Sequence, residues 1–303
     1  MPPRESGYPK LDMPPTVERT SVTVWSNGVA LDADVYRPKG LGGDKTAPAV
    51  VLSHGWGGDK LTPERYAAKF AAAGIVSLCF TYNGWGSSGE TLHLVGDRPA
   101  LDDKGEGTAR VRVVRQVVDP VEWVQNYSSA IDYIEGEPNV DPDRIGAWGT
   151  SFGGRIATYV AANDDRIKVL SLQVTRIAAL LKEPLRAQAR QLAIDIARGK
   201  AEAVPAVDAF SFHPGRPHLA RFRWHTPIDE LSKVNIPTLI IDAGSEELFD
   251  IREQGGKAYE ILKSKDTAPV KYEIIDGIDH YGVYYEGYEK SSDMARDWFM
   301  KYL

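Results

Sequence analysis

A chain of 303 residues that is 43% hydrophobic can bury one large core, and its formal net charge of −6 leaves no excess of Lys and Arg for a phosphate-binding face, so a nucleic-acid partner is excluded. No apolar run reaches the length of a signal peptide or a membrane span, so the expectation is a cytoplasmic protein without a membrane partner. The single cysteine, Cys79, rules out an internal disulfide, and the six histidines show neither HExxH nor CxxC-type company, so neither a metal nor another cofactor is expected.

Residues 1–19 read as an N-terminal extension. Residues 20–25 and 30–36 alternate apolar and polar side chains around Asn27-Gly28, the pattern of a hairpin with a tight turn. The short apolar run 49–53 predicts a strand buried on both faces. A helix follows, with Thr62 as its N-cap, Pro63 in its first turn and Gly74 at its end. Residues 75–81 form the next buried strand, with Cys79 as an inert thiol inside it. The stretch 90–118 is weakly patterned and reads as a long loop. Asp119-Pro120-Val121-Glu122 then opens a helix that Asp119 caps and Glu122 closes as a capping box, its apolar face running through Val121, Val124, Ala130, Ile131 and Ile134. Strands at 145–148, 167–174, 238–242 and 270–275 and a closing helix at 291–302 complete a βα alternation, which requires crossovers and a mostly parallel sheet covered on both faces.

One stretch breaks that rhythm. Residues 175–234 begin as an amphipathic helix (Ile177, Leu180, Leu181, Leu185, Leu192, Ile196) and turn aromatic at Phe210, Phe212, Phe222 and Trp224. The expectation is an inserted helical lid between core segments 20–174 and 235–303. Arg216, Arg221 and Arg223 hint at an anionic group nearby, although scattered surface arginines explain them equally well.

The chemistry starts at Gly149-Thr150-Ser151-Phe152-Gly153-Gly154, where an apolar strand stops and a helix begins. A serine hydroxyl is a weak nucleophile, and a tight strand-to-helix turn between small residues holds it clear of its own backbone. Gly149 and Gly153 give that clearance and Gly154 lets the helix approach the sheet. The turn also aims the helix N-terminus and the Phe152 N–H at the reacting carbonyl.

With these motifs the chain resembles the α/β hydrolases, and the likeness extends from Val50 to Tyr284. In that superfamily the nucleophile is followed by the acid and then the histidine. The resemblance places Ser151 as nucleophile and His280, in Gly277-Ile278-Asp279-His280-Tyr281-Gly282 after the last strand, as general base and acid. In the acid loop after the strand 238–242 it aligns Glu246, where most relatives carry Asp, with Glu247 as the runner-up and Asp250 or Asp242 available only to a shifted loop. His93, His213, His218 and His225 are the competing histidines. His54-Gly55-Trp56-Gly57-Gly58 resembles the oxyanion loop, so the backbone N–H groups of Trp56 and Phe152 are the expected donors, with His54 shaping the loop. Tyr82-Asn83-Gly84-Trp85-Gly86 resembles the family's glycine-rich scaffold turn, and Tyr82, Trp85, Phe212, Phe222 and Trp224 are the candidate walls of a substrate pocket.

Within the superfamily these motifs most resemble dienelactone-hydrolase-like esterases and the polyketide-processing hydrolases and transferases of microbial secondary metabolism. The implied activity is hydrolysis of a small-molecule carboxylic ester or thioester by a Ser-His-Glu triad through an acyl-enzyme. The alternative is acyl transfer, or elimination of a small acid, on a polyketide-like product by the same residues. An exopeptidase reading lacks room for the extra domain such enzymes carry, and a non-catalytic binding module would not need the serine and the histidine together. The oligomeric state is left open, with a homodimer among the options.

Overall fold

The computed structural model describes residues 7–202 and 215–303. In chain order its elements are β1 (Val17–Ser26), β2 (Val29–Pro38), β3 (Ala47–Ser53), α1 (Glu64–Ala72), β4 (Val76–Phe80), β5 (Thr91–Leu94), β6 (Val111–Val114), β7 (Val117–Val118), α2 (Pro120–Glu135) and β8 (Val140–Thr150). There follow α3 (Phe152–Asn163), β9 (Ile167–Gln173), α4 (Leu185–Ala197), β10 (Arg216–Pro217), α5 (Leu219–Phe222), α6 (Pro227–Glu230), β11 (Thr238–Ala243), α7 (Gly255–Lys265), β12 (Val270–Ile275) and α8 (Tyr288–Tyr302).

Eight strands form one sheet in the order β1-β2-β4-β3-β8-β9-β11-β12. The predicted hairpin is β1 and β2, paired antiparallel around Asn27 and Gly28, both at positive φ. From β4 to β12 every neighbour is parallel, so the connections cross over and carry helices onto both faces. One face packs Trp123 and Tyr127 of α2, Ile156 of α3 and Leu262 of α7 against the inward side chains of the strands. The other packs Tyr66 and Phe70 of α1 and Phe299 of α8 against Val50, Leu52, Trp148 and Ile241. Cys79 is buried in β4, where burial pushes its thiol well above the ordinary range and leaves it unreactive. This is the α/β-hydrolase arrangement, with the carboxyl ends of β3, β8, β11 and β12 all opening onto one rim.

Several local expectations change. Helix α1 starts one residue later than Thr62 predicts, and the Thr62 hydroxyl accepts from the Asp59 N–H instead of capping the helix. Asp119 does cap α2, accepting from the N–H groups of Val121 and Glu122. Glu122 forms no capping box, however, because its carboxylate accepts the Thr91 hydroxyl, and Val121 faces outward at 42% exposure. The loop expected over 90–118 contains the hairpin β5–β6 and the short β7, which pairs with β10. Polar and charged residues between its short apolar runs hide that hairpin from periodicity. The helix expected from Ile177 onward begins only at Leu185, because residues 175–184 are held in an irregular path by tertiary contacts. Phe210, Phe212, His213 and Pro214 lie outside the described residues. No helix among the described residues is long and apolar enough to cross a membrane, and no group of His, Cys, Asp and Glu there has metal-binding spacing.

Candidate active site

Ser151 sits where β8 ends and α3 begins, at φ 51° and ψ −121°. This is a left-handed conformation that side-chain-bearing residues rarely adopt, at a cost of about 1–3 kcal/mol. The surroundings enforce it. The Ser151 N–H donates to the Gln173 carbonyl at 2.8 Å, tying the turn to β9. A methyl group on Gly149 would lie 2.6 Å from the Gly153 carbonyl oxygen, and one on Gly153 would collide with the His54 carbonyl. Only glycine at both positions lets the turn close against the end of β3.

His280 opens a short 3₁₀ turn after β12, 129 residues beyond Ser151 in sequence. Its Nε2 lies 3.0 Å from Ser151 Oγ and its Nδ1 lies 2.7 Å from Glu246 Oε2. Contact with a carboxylate fixes the proton on Nδ1, so Nε2 carries the lone pair and accepts the serine O–H. Both carboxylate oxygens of Glu246 are engaged, because Oε1 accepts the Leu248 N–H at 3.0 Å. Its side chain is 2% exposed, which keeps the carboxylate–imidazole hydrogen bond out of competing water. Glu247 does a different job: its Oε2 accepts the backbone N–H of His280 at 3.0 Å and holds the main chain of the histidine, not its ring.

The other acids are engaged elsewhere. Asp250 is bound to Arg252 at the surface, and Asp242 is buried at the end of β11, where Tyr272 donates to it. Burial drives the Asp242 carboxyl up to about 7, helped by the nearby charge of Glu246. His218 and His225 are buried away from the serine and His93 lies in β5. His54 is fully buried, its Nδ1 donating to the Gly55 carbonyl at 2.7 Å while Nε2 accepts the Tyr82 N–H at 3.4 Å. Burial pushes it down to about 4, so it is neutral and shapes the loop that carries Trp56.

Ser151 and His280 open into a cleft of about 220 Å³. Gly55, Trp56 and Phe152 line the end nearest the hydroxyl; Arg176, Leu180, Leu248, Phe249, Tyr281, Tyr284 and Tyr8 line the rest. Phe152 is the first residue of α3, so its N–H has no partner within the helix, and the positive end of the helix dipole faces the cleft. The Trp56 ring stands perpendicular to the Phe152 ring at 5.6 Å.

The expected pocket walls fall elsewhere. Tyr82 is fully buried and stacked on Trp123 at 4.0 Å, and Trp85 is buried with its indole N–H donated to the Val117 carbonyl. Phe222 sits one layer behind the cleft, against the rings of Phe152 and Trp56. Trp224 is 69% exposed and lines a separate groove, and Phe212 lies outside the described residues. The aromatic content of those segments serves packing, which composition does not distinguish from substrate contact. Of the true lining residues, Tyr281 and Tyr284 were readable from their nearness to His280. Tyr8 and Arg176 carried no local signal.

A mostly parallel sheet with helices on both faces, opening at its carboxyl rim on a strained serine turn, defines the α/β-hydrolase fold. More particularly, residues 31–170 match the family model described as "Dienelactone hydrolase family". The chain is 31% identical over 149 residues to quorum-quenching protein AidA of Acinetobacter baumannii, a stretch covering 49% of this chain and 41% of that protein. It is 28% identical over 144 residues to thiohydrolase aneE of Aspergillus aculeatus, covering 47% of this chain and 38% of that one. The chain thus matches less than half the length of either relative. The crystal structure of hypothetical protein PA2218 from Pseudomonas aeruginosa superposes with a TM-score of 0.72 at 20% identity, covering 97% of this chain and 96% of that one.

Proposed function

We propose that this protein is a serine hydrolase acting on a small carboxylic ester or thioester. The observation that carries the reading is the unbroken relay from Ser151 Oγ to His280 Nε2 at 3.0 Å and from His280 Nδ1 to Glu246 at 2.7 Å. In this reading Ser151 attacks the carbonyl carbon while His280 takes its proton, and Glu246 stabilises the imidazolium that forms. The backbone N–H groups of Trp56 and Phe152 hold the oxyanion, each contributing about 3 kcal/mol to the transition state. His280 then returns the proton to the departing alcohol or thiol, and water resolves the acyl-serine by the same steps in reverse order of roles. No step calls for a metal or an organic cofactor. An acyl acceptor other than water would use the same relay, and the test reports on it.

A fluorophosphonate probe is expected to label the wild-type chain at Ser151 and not the Ser151→Ala variant, read by intact-protein mass. Equal labelling of both would remove Ser151 from the reaction. Incubating the enzyme with short alkyl esters, an acyl thioester and a lactone, with mass detection of products formed in added alcohol, separates hydrolysis from transfer.

A further inference from the structure

One wall of the cleft comes from outside the sheet and its helices. The stretch 7–16 precedes β1 and is laid along the other elements by contacts spread over its length. Leu11 and Met13 pack against the core that α1 and α8 cover, and the Pro15 carbonyl accepts Lys39 Nζ at 2.8 Å. At its far end the Gly7 carbonyl accepts the Tyr285 hydroxyl at 3.0 Å. This path brings Tyr8 to the rim, where it lines the same cavity as Ser151 and His280. Its ring lies 4.7 Å from that of Tyr284 and 6.4 Å from that of Tyr285. A ring placed for packing alone turns into the core, as Tyr284 does at 6% exposure, whereas Tyr8 and Tyr281 keep 38% and 37% of their surface open beside the cleft. Open aromatic surface at a concave site is what a bound molecule covers.

Proton transfer decides which part of the substrate meets this wall. His280 must return its proton to the departing oxygen or sulfur, so the leaving group lies against the turn His280–Tyr284, while the oxyanion lies against Trp56 and Phe152. Tyr281 and Tyr284 belong to that turn and Tyr8 rests on Tyr284. We propose that Tyr8 is a specificity-determining residue on the leaving-group side of the cleft, and that the preferred ester or thioester releases an alcohol or thiol carrying an aromatic ring. The proposal rests on the reading of Ser151 as nucleophile. Tyrosine rings offer a flat apolar face and an electropositive edge, so a planar ring gains tilted or offset contacts that a puckered saturated ring of the same size does not. Because the cleft holds only about 220 Å³, that ring is paired with a short acyl group. An attacking acceptor retraces the path of the leaving group, so in acyl transfer the same corner receives the acceptor. Tyr285 acts through the Gly7 main chain and is a positioning residue.

The test compares benzyl acetate with cyclohexylmethyl acetate, whose leaving alcohols match in size and differ in the ring. Wild type is expected to favour the benzyl ester by about fivefold in kcat/KM, mainly through KM. Tyr8→Ala should bring the ratio to one and Tyr8→Phe should keep it, while Tyr285→Phe, which loses the bond to Gly7, should fall in between. Benzyl acetate, butanoate and hexanoate form a second series, whose order is expected to be the same in wild type and Tyr8→Ala. A wild-type ratio of one, or a ratio unchanged by Tyr8→Ala, overturns the subsite. A Tyr8→Ala variant that keeps the ratio and reorders the acyl series places Tyr8 on the acyl side and overturns it equally. Binding of benzyl alcohol and cyclohexylmethanol to Ser151→Ala and Ser151→Ala/Tyr8→Ala, read by saturation-transfer NMR, needs no turnover. If fluorophosphonate fails to label the wild type, the nucleophile reading falls, and that binding comparison still decides on Tyr8.

Discussion

The two ends of the cleft are held in different ways. At the candidate reacting end, Ser151, Glu246 and His280 stand just beyond the carboxyl ends of β8, β11 and β12, and a main-chain hydrogen bond fixes each of them: the Ser151 N–H donates to the Gln173 carbonyl, the Leu248 N–H to Glu246 and the His280 N–H to the Glu247 carboxylate. At the far end, Arg176 and Leu180 belong to irregular chain whose carbonyls at Arg176 and Ala178 accept from the buried Arg155 of α3. Strand ends give sub-ångström placement for chemistry. Irregular chain gives a wall that evolution can change without disturbing the relay.

The sharpest way to break the comparison lies inside the reacting end. Glu246→Gln leaves an amide that can no longer stabilise imidazolium, and turnover of any ester should fall by about 10³–10⁴. Glu247→Gln keeps an oxygen for the His280 N–H and should lose no more than about tenfold. Steady-state kinetics of the pair checks this, and a reversed order would move the acid one residue along the loop.

The second prediction probes the far end. Arg155→Met strips three carbonyls of their donor, each costing about 1 kcal/mol or more, so unfolding free energy in urea should drop by about 3 kcal/mol. Proteolysis should cut first within 175–234, and fluorophosphonate labelling of Ser151 should survive in the folded fraction. Loss of labelling in parallel with stability would mean that the two ends are one unit.

The contrast also explains what was legible in the chain. The serine turn could be read because its cause is local: Gly149 and Gly153 stand where a Cβ would meet main chain, and that requirement leaves a mark in six residues. His280 and Glu246 were picked out by the family resemblance, which expects the acid in the loop after the penultimate core strand and the histidine after the last one. The wall could not be read, because nothing near Arg176 or Tyr8 in sequence announces contacts with α3 or with Tyr284, whose ring lies 4.7 Å from that of Tyr8. The aromatics that looked like pocket walls, Tyr82 and Trp85, turned inward because an aromatic face fits a core as well as a ligand.

A third prediction concerns pH. Asp242 binds its proton more tightly in the folded chain, at about 7, than at the ordinary 3.8 of the unfolded one. The stability it contributes is therefore full below pH 3.8, is lost as pH rises to 7, and is flat above. Asp242→Asn removes that slope. Between pH 5 and pH 8 the wild type should lose about 2–3 kcal/mol relative to the variant, measured by urea melts at each pH. Parallel curves would place the titrating proton elsewhere.

The smallest effect is expected at Trp224, which composition marked as a pocket wall. Its ring is 69% exposed, stacks beneath Arg223 at 5.5 Å and borders a groove with Val121, Tyr159 and His225 rather than the cleft with Ser151. Truncation uncovers no core and frees no buried polar group, so Trp224→Ser should stay within about 0.5 kcal/mol in stability and about twofold in kcat/KM. A larger loss of kcat/KM on long esters than on short ones would show the groove to be a continuation of the cleft, and the far wall would then extend past Phe222 to the surface.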